Sequence, residues 1–164
     1  MKSLRGLFAG ETSISGIMGD TMRKPRRIVI DTNVLVAGLR SRNGASFELL
    51  SRLTASQFEL FLTVPLAMEY ADVPTRPGMV PLPAHAIESF LDMICKLAIQ
   101  QEVHFLWRPQ LRDAKDELVL GAAVNAGAHF LVTHNLADFG PAHRFDVRPV
   151  TPGQFLDLLD GERS

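Results

Sequence analysis

At 164 residues, with 46% hydrophobic and 21% charged side chains, the chain has the length and apolar content of one globular domain with a sizeable core. A formal net charge of -1 excludes holding nucleic acid by bulk charge as its main business. One cysteine, Cys95, excludes an intramolecular disulfide and points to a reducing, cytoplasmic setting.

Residues 1 to about 25 are rich in Gly, Ser, Thr and Met, show no sustained period, and contain no unbroken apolar core of the signal-peptide kind. They are expected to be a disordered leader, with Met18 or Met22 as alternative starts, ahead of a domain spanning residues 26–160. No apolar run approaches the roughly 20 residues a membrane span needs. Residues 1–42 carry eight basic side chains against three acids, enough to steer a polyanion and equally ordinary on a solvated tail.

The first element is "RIVIDTNVLVAG", whose β-branched run reads as a strand buried on both faces. A helix follows around Phe47 to Leu53, then a strand in "FELFLTV" and a helix opened by Pro65 in "PLAMEYADV". Next come a helix across "PAHAIESFLDMICKLAIQ", with Cys95 as a small buried apolar residue, and a short strand in "EVHFL". A helix in "KDELVLGAAVNAG", closed by Gly127, leads to a strand in "HFLVT". The last pair is the strand "FDVRPV" and the helix "TPGQFLDLL", where Thr151, Pro152 and Gln154 supply N-cap, first-turn proline and capping-box partner. Strands alternating with helices imply an α/β fold: a three-layer α/β/α sandwich on a mainly parallel sheet.

An ionised carboxylate is costly inside a buried strand, so Asp31 must lie at the strand's end or pair with a cation such as Arg27. In open parallel sheets the ligand crevice lies beyond the carboxyl ends of the strands, and Asp31 closes the first one. Glu69 shares an i, i+3, i+4, i+7 stripe with Leu66, Tyr70 and Val73, and therefore faces the core or the edge of that stripe, from which it could reach solvent or a basic partner. Asp113 and Asp116 open a helix, as an N-cap and an acidic first turn would. Asp116 also shares a stripe with Val119, Leu120 and Ala123, while Glu117 points about 100° away and is expected to be solvated. Thr133 ends another strand, followed by His134, Asn135 and Asp138, ordinary turn and helix-start residues at a strand end.

Carboxylates gathered at one point repel one another unless a cation neutralises them. Hard oxygen donors select Mg²⁺ or Mn²⁺, and the five histidines show no zinc-binding spacing. Such a set suits metal-assisted phosphodiester hydrolysis. A phosphoryl-transfer receiver would need an acid pair after the first strand, where Thr32 follows Asp31.

In order and spacing, "IVIDTNVLVAGL", "LAMEYADVPTRP" and "LRDAKDELVLGAAVNAGAHFLVTHNLADF" resemble the signature segments of the PIN domain, VapC-type toxins in particular, from Arg27 to Leu159. The resemblance implies a Mg²⁺- or Mn²⁺-dependent endoribonuclease acting on RNA, with Asp31, Glu69 and Asp116 as catalytic metal ligands and Asp113 as an auxiliary acid. It further implies that Thr32 and Asn33 support the first acid or the nucleophilic water. Where many PIN domains have a further Asp, this chain has Asn135, which can orient a water or offer a carbonyl oxygen but brings no charge. A cognate antitoxin and a homodimer are the implied partners. The alternative is a non-catalytic PIN-like adaptor that binds RNA or protein.

Overall fold

The computed structural model describes residues 24–104 and 109–163; the first 23 residues of the expected leader lie outside the described residues. In chain order the elements are β1 (Arg26–Ile30), α1 (Thr32–Arg40), α2 (Ala45–Ser51), β2 (Phe58–Leu62), α3 (Val64–Asp72), α4 (Ala84–Leu97) and β3 (Ile99–Gln100). They continue with α5 (Ala114–Ala126), β4 (Phe130–Val132), a kinked run of 3-10 turns over Leu136–Phe145, β5 (Arg148–Val150) and α6 (Pro152–Gly161).

The strands form one parallel sheet in the order β3-β2-β1-β4-β5. Ile28 of β1 lies opposite Leu60 of β2 on one side and Phe130 of β4 on the other, so β1 is central. Successive strand residues point to opposite faces, and Ile28, Val29 and Ile30 are all buried, as are Phe130, Leu131 and Val132. Both faces are therefore covered, and the α/β/α expectation stands. Phe155 of α6 packs on Phe58 at 5.4 Å and on Phe130 at 5.6 Å between ring centroids, fixing the last helix to the first residues of β2 and β4.

Local chemistry accounts for the element ends. Thr63 caps α3, its hydroxyl accepting from the Leu66 amide at 3.3 Å, and Pro65 sits in the first turn. Thr151 and Gln154 make the full capping box of α6. Gly127 ends α5 at φ 58°, a left-handed position that favours glycine. Gly38 is needed for a different reason: a Cβ there would stand 2.3 Å from Leu50 Cδ1 and 3.2 Å from the Ser46 carbonyl, so it permits α1 and α2 to touch.

Three expectations are corrected. The run after Asp31, for which no element of its own was expected, is helix α1, because Asp31 ends the extended backbone and the apolar residues beyond it are enclosed on several sides. The short edge strand is Ile99–Gln100, within the stretch read as the end of a helix; of "EVHFL", Glu102 to His104 are not strand and the remainder lies outside the described residues. Cys95 is half-buried against the core, not enclosed. No helix among the described residues is long and apolar enough to cross a membrane.

Candidate functional site

The strand order reverses direction at β1, since β2 lies on one side and β4 on the other, which makes the carboxyl ends of β1 and β4 the switch point where α/β sheets form a crevice. Asp31 stands immediately beyond β1, and Thr133 immediately beyond β4. The Thr133 hydroxyl donates to Asp31 Oδ2 at 2.8 Å, joining the two strand ends, and itself accepts from the Asn135 amide at 3.0 Å. The backbone repeats the link, with the Asp31 amide donating to the Val132 carbonyl at 2.9 Å.

Asp31 is 3% exposed and has no ion-pair partner among the described residues; Arg27 acts instead on Glu59, its neighbour across β1 and β2. Burial pushes the Asp31 carboxyl up, opposed by the Thr133 hydroxyl, the Asn33 amide, the charge of His134 and the Thr32 amide. Asp31 occupies the N-cap position of α1. Thr32 is buried in the first turn of α1 and Asn33 is exposed there.

Helix α3 reaches the same place through Tyr70. Its hydroxyl donates to the Ile30 carbonyl, one residue before Asp31, and burial together with the Asp31 charge pushes the phenol far up. The next residue back, Glu69, is half-buried, and its Oε2 is buried with no hydrogen-bond partner.

Asp113 is the N-cap of α5, accepting from the Lys115 amide at 2.8 Å, and is exposed. Asp116, on the buried stripe with Val119, Leu120 and Ala123, is pushed up to about 6 by burial and by the charges of Asp31, Asp113, Asp138 and Glu117. Asp31 and Asp116 therefore feel each other although 85 positions separate them in sequence. Glu117 is not solvated as expected: its Oε1 accepts from the amides of Gln110 and Leu111, latching the segment before α5. Asn135 is exposed, and its observed contribution comes from its backbone.

The PIN domain family matches residues 27–137. The chain belongs to the PIN domain family. Comparison with curated proteins gives no match. As a PIN domain it has a nuclease-type fold. Sequence reasoning passed over Tyr70, taken as part of an apolar stripe, and undervalued Thr133, His134 and Asp138. The signal that could have found them is position, since all but Tyr70 fall within six residues after a buried strand.

Among the described residues no three His, Cys, Asp or Glu side chains converge closely enough to hold a metal ion as they stand. The donor set nonetheless fits a hard divalent cation. It is all oxygen, one buried oxygen of Glu69 lacks any partner, and Asp116 is raised by burial and by the acids around it, the second of which a cation relieves.

Proposed function

We propose that this PIN domain is a metal-dependent endoribonuclease, a hydrolase acting on the phosphodiester bonds of single-stranded or structured RNA. The observation that supports the reading is that acids from distant parts of the chain act on one another at the carboxyl ends of the strands: Asp116 is raised to about 6 by burial and then by the charges of Asp31, Asp113, Asp138 and Glu117. Asp31, Glu69 and Asp116, with Asp113 auxiliary, would hold Mg²⁺ or Mn²⁺, which when bound activates water and offsets charge developing on the phosphate. The chain's own part is positioning. Thr133 fixes one Asp31 oxygen, Tyr70 seats the helix turn that bears Glu69, and Glu117 fixes the approach to α5.

The likeness of its three motifs to VapC-type toxins supports a role as the toxin of a type II toxin–antitoxin pair, with a cognate antitoxin, a homodimeric assembly and a cytoplasmic site of action. A second reading, the PIN-like adaptor that binds without cutting, is favoured by the absence of a three-ligand convergence among the described residues. Incubating labelled RNA with the protein in EDTA and after addition of Mn²⁺ or Mg²⁺ tests both. Cleavage is expected only with the metal, and Asp31→Asn should abolish it while the fold persists, because an Asn carbonyl can still accept from Thr133. Full activity in chelator overturns the metal mechanism; absence of both cleavage and calorimetric Mn²⁺ binding favours the adaptor.

A further inference from the structure

His134 stands at the crevice but belongs to neither the acid set nor its supports. It directly follows Thr133, the residue bonded to Asp31, and lies near enough to act on the Asp31 carboxyl whenever it is protonated. The ring is exposed, yet it is anchored: Nε2 lies 2.9 Å from Ser46 Oγ, 88 positions away in sequence. Ser46 is buried in the first turn of α2, and this is the side-chain hydrogen bond it makes among the described residues.

A neutral imidazole carries one N–H, and the bond made by one nitrogen decides which nitrogen holds the proton. Where the Ser46 hydroxyl donates to Nε2 the proton sits on Nδ1, and where Nε2–H donates to the hydroxyl Nδ1 is a bare acceptor. Asp31 already accepts from Thr133 and takes no hydrogen bond from the ring, so Nδ1 is left without a partner among the described residues. An anchored imidazole with Nδ1 unpartnered beside these carboxylates matches a group that must be brought there from outside. A phosphodiester has acceptors in its non-bridging oxygens.

We propose that His134, anchored at Nε2 by Ser46, contacts the RNA strand at the crevice by adopting its Nδ1–H form and donating to a non-bridging phosphate oxygen. This rests on the endoribonuclease reading and adds to it a substrate contact that is not an acid. Ser46 is then a positioning residue acting through the ring.

Amide isosteres provide the test, since the Asn side chain places an N–H near the position of Nδ1 and Gln places one near Nε2. Steady-state cleavage of a fluorescein-labelled RNA oligonucleotide in Mn²⁺ is measured with the full chain. His134→Ala should raise KM about tenfold, the loss of one hydrogen bond to a charged group. His134→Asn should stay within about threefold of wild type and His134→Gln should resemble His134→Ala. Ser46→Ala should raise KM alone and add nothing in the His134→Ala background. Calorimetric Mn²⁺ affinity without RNA should be unchanged throughout. Rescue by Gln but not by Asn overturns the proposal, because the ring would then serve only Ser46. So does an unchanged KM in His134→Ala, or a KM rise matched by loss of Mn²⁺ affinity. A wild type that cleaves no RNA refutes the endoribonuclease reading itself, whereas a wild type that cleaves with KM indifferent to His134 refutes this contact alone.

Discussion

Replacing Asp116 by Asn in the metal-free protein removes a carboxyl that the fold raises from its ordinary 3.8 to about 6, through burial first and then the charges of Asp31, Asp113, Asp138 and Glu117. Such an acid binds its proton more tightly folded than unfolded. Protonation therefore stabilises the fold, a contribution fully present below about 3.8 and lost as pH rises through about 6. The full displacement corresponds to at most about 3 kcal/mol, and solvent screening at the partly exposed rim reduces it to about 1–2 kcal/mol. Above neutrality the wild type bears that penalty and Asp116→Asn does not. Thermal melts in EDTA at pH 7.5 should therefore place the variant roughly 3–6 °C above wild type. At pH 4.5 the gap should shrink to about a third, because the wild-type carboxyl is then largely protonated in the fold. Saturating Mn²⁺ should reverse the order, since wild type gains about 4 kcal/mol at a thousandfold excess over Kd and the variant gains less. A variant that melts below wild type in EDTA at pH 7.5 would refute the reasoning, because Asp116 would then be a paired structural acid.

Tyr70→Phe leaves the Ile30 carbonyl without its side-chain donor and should cost about 1–2 kcal/mol in urea unfolding; an unchanged midpoint would mean that the hydroxyl does not pin α3 to β1. Gly38→Ala forces a methyl to 2.3 Å from Leu50 Cδ1 and 3.2 Å from the Ser46 carbonyl, and should lower stability by about 1–3 kcal/mol. Wild-type stability for that variant would show that α1 and α2 have room to separate.

How far the sequence could be read depended on the range of the interactions. Strands β1, β2 and β4 were legible because burial on both faces writes itself as a continuous apolar run. Asp31 was legible as a candidate because a carboxylate breaking such a run needs a reason. Helix α1 was not, since the consecutive Val34, Leu35 and Val36 are all buried and its outward face carries polar side chains only near its two ends, at Asn33 and Arg40. Two-residue β3 carries too little pattern to be seen. Glu117 was misplaced because the 100° rule treats a helix as isolated, whereas the chain before α5 folds back and brings the Gln110 and Leu111 amides to it. Tyr70 and His134 depend on partners 40 and 88 positions away, and no local pattern encodes which residue a distant hydroxyl will meet.

The Thr133–Asp31 bond spans 102 positions, and β1 pairs with β4 over a similar separation. Bringing such distant segments together must overcome chain entropy before any contact is made, so these pairings form late relative to local helices. A ribosome delivers Asp31 long before Thr133. Until β4 has been made and has docked beside β1, the carboxylate has neither its hydroxyl partner nor the crevice wall, and a growing chain cannot present the completed acidic centre to the messenger that encodes it.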